Sequence, residues 1–155
     1  MPVATTVARA ADFLSIVRAH AAEPDEWPFA PRFDPNRRWY GRLAVAGDHE
    51  VWLLTWLPGQ GTDLHDHGGS GGAFTVVSGA LVEQTVRGGE LAGTAYGAGE
   101  GHRFGPHFVH RMVNASDRPA VTVHAYGPAL TAMTRYRLHD GRLSVESITK
   151  AGADW

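Results

Sequence analysis

Apolar positions recur at helical spacing in one place and at strand spacing almost everywhere else. Ala10, Phe13, Leu14, Val17 and Ala21 follow the i, i+3, i+4, i+7 rhythm that gathers one face of a helix. They predict an amphipathic helix over residues 7–22, capped by Thr6 and stopped by Pro24. Residues 23–36 hold four prolines and no period, and predict a loop laid over the surface. From Arg38 onward the pattern is strand, turn, strand, with strands expected at 38–46, 50–57, 73–77, 80–86, 109–114, 120–126, 134–139 and 142–148. Gly47-Asp48-His49 and Gly88-Gly89 mark turns, and Ser78-Gly79 and His139-Asp140-Gly141-Arg142 mark hairpins. Many short strands at regular spacing predict an all-β protein, a sandwich or a barrel. The reading is an antiparallel jelly-roll barrel with the helix packed outside and room for a small ligand within.

At 155 residues the chain is expected to form a single domain: helix and loop over 1–36, barrel over 37–149, tail over 150–155. Lys and Arg number 14 against 16 Asp and Glu, a net charge of −2, so there is no excess of basic residues to serve a nucleic acid. No run approaches the roughly 20 apolar residues that span a bilayer. Arg9, Asp12 and Arg18 break up the N-terminal segment as a secretion signal. The expectations are therefore no nucleic-acid partner, no membrane, a cytoplasmic location and a monomer. The absence of cysteine excludes disulfides, thiolate ligands and thiol nucleophiles.

Chemistry enters through histidine. Six of the nine, His65, His67, His102, His107, His110 and His124, fall within one stretch of 60 residues. In an extended segment residues i and i+2 face the same way, about 6.5–7 Å apart. His65 and His67 can therefore share one cation while Asp66 points away in a structural role. Alone, a His-x-His pair is equally a polar surface patch. The glycines add to it. Gly59 lies six residues before His65 and Gly79 twelve after His67, which is similar to the first cupin motif. His110 and Asn114, with Gly99 eleven residues ahead of His110, are similar to the end of the second, although the internal proline and second glycine of that motif are displaced. Where most cupins place a carboxylate ligand this chain has Gly72. The expected ligand set is then three neutral imidazoles, His65, His67 and His110, with open positions on one side of the ion. Iron fits that set, as do zinc, nickel and copper. Asp63 and Glu83 read as solvated acids, and His102 and His107 as rim or loop residues.

Four blocks in combination resemble the cysteine dioxygenase family, the thiol dioxygenases of the cupin superfamily: Trp39-Tyr40-Gly41-Arg42, His65-Asp66-His67-Gly68-Gly69-Ser70, Val109-His110-Arg111 and Thr122-Val123-His124-Ala125-Tyr126. The resemblance covers residues 38–128. It implies the double-stranded β-helix fold, Fe(II) as cofactor, and insertion of both atoms of O2 into a thiol sulfur, with L-cysteine giving cysteine sulfinic acid. It further implies iron ligation by His65, His67 and His110, and a substrate carboxylate held by Arg42 with help from Tyr40. Tyr126 would face the iron site, its hydroxyl oriented by His124 and Thr122, while Trp56 would serve packing.

Two departures stand out. Animal members carry at position 72 a cysteine joined to the tyrosine, and with Gly72 that crosslink cannot form, so Tyr126 acts unmodified as in the bacterial form. Position 122 is usually Ser and here is Thr. A sister group that prefers 3-mercaptopropionate tends to carry glutamine where this chain has Arg42, which favours cysteine. The alternatives are that thiol, a non-catalytic metal-binding cupin sensor or binding module, and a zinc or manganese isomerase or hydrolase.

Overall fold

The computed structural model describes residues 12–150. The first element is helix α1 (Phe13–Ala22). Asp12 is its N-cap, with a non-helical backbone, and its carboxylate accepts the Ser15 N–H at 3.3 Å and the Ser15 hydroxyl at 2.8 Å. The helix therefore starts at Phe13. The expected cap Thr6, and Ala10 with it, lie outside the described residues. Val17 is fully buried, and Phe13, Leu14 and Ala21 pack beside it on the face the periodicity marked, joined by Ile16. A 3-10 turn at Pro24–Glu26 follows. The segment beyond it is pinned more firmly than a loop laid over the surface. Trp27 and Phe29 pack into the same core, and Trp27 donates its indole N–H to the His20 carbonyl at 2.9 Å.

Eleven strands complete the described chain: β1 (Trp39–Val45), β2 (Glu50–Trp56), β3 (Leu64–Asp66), β4 (Gly71–Ser78), β5 (Ala80–Arg87), β6 (Glu90–Gly97), β7 (Gly101–Phe104), β8 (Arg111–Val113), β9 (Ala120–Gly127), β10 (Ala132–His139) and β11 (Arg142–Lys150). They form a five-stranded sheet in the order β1-β2-β9-β4-β7 and two three-stranded sheets, β11-β10-β3 and β6-β5-β8. Every pairing is antiparallel. The protein is all-β, as expected.

The five-stranded sheet is covered on both faces, and β2, β4 and β9 are buried almost without a break. Outward, Val51, Leu53, Ala73, Val121, Val123 and Ala125 meet α1. Inward, Leu54, Trp56, Phe74, Val76 and Ala120 meet Leu81 and Met112 from the facing sheet. The inward register carries the site. Trp52 pairs with His124, Leu54 with Thr122 and Glu50 with Tyr126, while Gly72 lies opposite Tyr126 and Phe74 opposite His124.

The Ser78-Gly79 hairpin is not formed. β4 pairs with β7 and β9, whereas β5 pairs with β6 and β8, so the chain turns a corner here and leaves one sheet for another. Gly79 has a left-handed φ of 77°, and a Cβ would lie 2.5 Å from the Pro119 carbonyl, so glycine serves a corner pressed against a neighbouring strand. The periodicity also passes over β6 and β7. β6 is half Gly and Ala, with little of the β-branched or aromatic content that marks a strand. The His139–Arg142 hairpin forms as expected, His139 pairing with Arg142.

Candidate functional site

Three short pieces of backbone bring three imidazoles together. β3 is hydrogen-bonded to β10, with Arg135 opposite His65 and Thr134 opposite Asp66. Alternation turns His65 and His67 inward and Asp66 outward. Asp66 accepts the Tyr136 hydroxyl at 2.6 Å and the Gly68 N–H at 2.9 Å, the structural role expected of it. The bond to Asp66 pushes the Tyr136 phenol up to about 12. An isolated β-bridge then joins His65 to His110, each N–H donating to the other's carbonyl at 2.9 and 3.0 Å. Ring nitrogens of His65, His67 and His110 lie within 4.8 Å of one another, and the residues are only 4, 3 and 2% exposed.

The donor set fits a divalent metal ion. His65 Nδ1 is 2.7 Å from the Asp63 carbonyl, which can only accept, so Nδ1 carries the proton and Nε2 offers a lone pair. His110 Nδ1 stands in the same relation to a Glu83 carboxylate oxygen, also at 2.7 Å. His67 Nδ1 is buried without a hydrogen-bond partner among the described residues. Burial, then the neighbouring imidazole charge, holds His65 and His67 well below the usual histidine range, so they stay neutral and able to ligate. Glu83 is therefore no solvated acid. It is 4% exposed and accepts from both His110 and His102, each at 2.7 Å. The sequence signal was there: an acid at an inward position of β5, two residues after the buried Leu81.

Phe104 was also missed. Its ring stacks on His67 at 5.1 Å and stands 5.1 Å from His110, closing the side of the trio that Gly72 leaves open. A Cβ at Gly72 would sit 2.2 Å from the Ala125 carbonyl oxygen and 3.0 Å from the Phe104 ring. No side chain from position 72 fits beside the trio. His102 lies on β7 at the rim and His107 in a loop, and neither joins the trio.

Along β9 a line of hydrogen bonds runs towards the trio. Trp56 Nε1–H donates to Thr122 Oγ1 at 2.9 Å, so Trp56 does more than pack. Thr122 Oγ1 is 2.8 Å from His124 Nε2, and His124 Nδ1 is 3.3 Å from the Tyr126 hydroxyl. The polarity follows. Indole only donates, so Thr122 accepts there and its own proton is available to His124 Nε2. Burial, with His110 and Arg38 nearby, pushes His124 down to about 3, so the ring is neutral, and with Thr122 donating to Nε2 its one proton sits on Nδ1, towards Tyr126. The Tyr126 O–H is left to donate into the cavity, and burial raises the phenol above its ordinary value.

A cavity of about 450 Å³ opens in front of these groups, lined by Arg42, Tyr40, the three histidines and Tyr126. Arg42 and Tyr40 project from β1 on one face, Arg42 opposite Trp52 and Tyr40 opposite Leu54. The Arg42 guanidinium lies 5.8 Å from the Trp52 ring and 3.9 Å from the buried Glu50 carboxylate, and its side chain remains 54% exposed. Tyr40 stands edge-on to Trp52 at 5.8 Å. Arg38, two residues earlier, also lines the cavity, its guanidinium 5.1 Å from the Trp56 ring, and burial lowers its pKa. The i, i+2, i+4 spacing of Arg38, Tyr40 and Arg42 was its signal. Among the described residues no helix is long and apolar enough to cross a membrane.

Residues 3–139 match the family model for cysteine dioxygenase type I. The chain belongs to the cysteine dioxygenase type I family. Solved structures place this family member among double-stranded β-helices. It is similar to a conserved protein with a double-stranded β-helix domain from Klebsiella pneumoniae, with a TM-score of 0.57 at 21% identity, covering 78% of this chain and 91% of that one. The TT1209 protein of Thermus thermophilus is similar with a TM-score of 0.55 at 24% identity, over 64% of this chain and 90% of the other. Oxalate oxidase with bound glycolate gives 0.54 at 20% identity, over 63% and 55%. These likenesses show the fold of this cysteine dioxygenase type I relative.

Proposed function

We propose that the protein is an Fe(II)-dependent thiol dioxygenase that converts L-cysteine and O2 to cysteine sulfinic acid. The observation that carries this reading is the meeting of three imidazoles, with no carboxylate among them, at one wall of a cavity that also presents Arg42 and the Tyr126 hydroxyl. His65, His67 and His110 would hold the ion. When bound, a ferrous ion supplies acidification of the thiol and electrons for dioxygen. The chain's own residues do the rest. Arg42 pairs its planar fork with the substrate carboxylate, a geometry that suits guanidinium better than ammonium. Tyr40 supports that contact from the same strand face. Tyr126 donates its O–H to the substrate or to the oxygen being transferred. Thr122 and His124 hold the proton order that leaves this hydrogen free, and Trp56 fixes Thr122. Both oxygen atoms end on sulfur, R–SH + O2 giving R–SO2H, so no further reductant is needed.

The test is mass identification of the product after iron-loaded protein is incubated with L-cysteine under labelled O2. The expected product is cysteine sulfinic acid with both new oxygens labelled. No oxygen consumption would leave a metal-binding module, and a higher kcat/KM for 3-mercaptopropionate would move the substrate assignment to that acid.

A further inference from the structure

Glu83 sits where a carboxylate is expensive. It is inward-facing on β5, with Leu81 two residues before it and Met112 opposite it in the ladder. A buried charge is kept only where it is paired and hydrogen-bonded. Both oxygens are used, one by His110 Nδ1 and the other by His102 Nδ1, each at 2.7 Å. The neighbouring Tyr96 ring stacks over His102 at 6.2 Å and 15°.

The three candidate ligands differ in what stands behind them. His65 is backed by a backbone carbonyl and His110 by a full negative charge, while His67 Nδ1 has no partner among the described residues. Gly72 supplies no carboxylate to the ligand set, and the space beside it is filled by the apolar Phe104 ring.

We infer that Glu83 is a positioning residue that supplies, through the His110 ring, the negative charge missing from the ligand set. Its carboxylate fixes the Nδ1–H tautomer of His110, aims Nε2 at the trio and makes that ring the most electron-rich of the three. His102 holds the second oxygen in place from the rim. The metal arm of the inference rests on the three-histidine reading above. The tautomer arm does not.

Two measurements test it. In metal-free protein, ¹⁵N shifts of the His110 imidazole are expected to report the Nδ1–H tautomer, and an Nε2–H ring would overturn the inference without any variant being made. In Glu83→Gln, chelator competition with Zn(II) and Co(II) is expected to show affinity weakened by about ten- to a hundredfold. The Tm of the metal-free variant checks that the native fold is being titrated. Affinity within about twofold of the parent in folded Glu83→Gln would reduce Glu83 to a structural buried acid and overturn the inference. Neither readout uses turnover. Failure to oxidise any thiol would sink the dioxygenase reading and leave this result standing, and the reverse also holds.

Discussion

Trp56 Nε1 and Thr122 Oγ1 are 2.9 Å apart, and that contact starts the line of hydrogen bonds that runs on through His124 to Tyr126. With the indole donating to Thr122, the threonine proton is free to go to His124 Nε2, an arrangement that puts the imidazole proton towards Tyr126. Thr122→Val keeps the shape and removes the link. It should lower kcat with L-cysteine by about five- to tenfold, the value of one ordinary hydrogen bond of about 1 kcal/mol. Thr122→Ser should restore the rate. Tyr126→Phe removes the donor itself and should cost about a hundredfold in kcat. Metal content should be unchanged in all three, measured by elemental analysis beside steady-state kinetics. If Thr122→Val matches the parent, the line is packing only.

Arg42 is exposed enough to meet a ligand and lies near enough to Glu50 for a weak pairing at 3.9 Å. Replacing it by Gln should raise KM for L-cysteine by about ten- to a hundredfold, as expected for losing a charge-assisted contact of about 1.5–3 kcal/mol. Cysteamine, which lacks the carboxylate, should change by less than about threefold, since it never used that contact. Equal losses on both thiols would make Arg42 a structural partner of Glu50 and Trp52.

Gly72 is held open by the backbone as well as by Phe104. A methyl group there would sit 2.2 Å from the Ala125 carbonyl oxygen. Gly72→Ala should therefore destabilise the fold by about 1–3 kcal/mol, read as a lower urea midpoint, and Gly72→Cys by at least as much. Trimming Phe104 to Ala in the same chain should not rescue it, because the carbonyl does not move with the ring. A neutral Gly72→Ala would show that the strand can slip to make room.

The trio and the β9 line were legible in the sequence by different routes. Residues two apart on a strand share a face, so His65 and His67 could be grouped before any fold was known, while His110 entered through its motif spacing and Thr122, His124, Tyr126, Tyr40 and Arg42 through the family resemblance. What stayed hidden came from a different strand. Glu83 and Phe104 reach the site through pairings of β5 with β8 and β4 with β7, and nothing local records those partners. Ser78-Gly79 misled because a hairpin and a sheet-to-sheet corner ask the same freedom of glycine. β6 and β7 went unread because Gly, Ala and Glu dominate the one and the other is four residues long.

Acid should unfold the metal-free protein early. His124 is pushed down to about 3 by burial, and His65 and His67 move the same way, while all three titrate near 6.5 once unfolded. Between those values the unfolded chain binds more protons than the native one. Stability is therefore fully present above about pH 6.5 and drains as pH falls towards about 3, at up to about 1.4 kcal/mol per pH unit for one such group. Thermal melts from about pH 7.5 to about pH 4.5 should show a steadily falling Tm. A flat profile across that window would mean these rings are already solvated or charged in the native protein.

The bridge between His65 and His110 lies on a seam: β3 belongs to the ladder of β10 and β11, and β8 to that of β5 and β6. An ion gripped from both sides of that seam would act as a rivet as well as a reagent. Stripping it would loosen the join between two ladders, so the stripped protein should be nicked sooner by proteases and should age faster on storage.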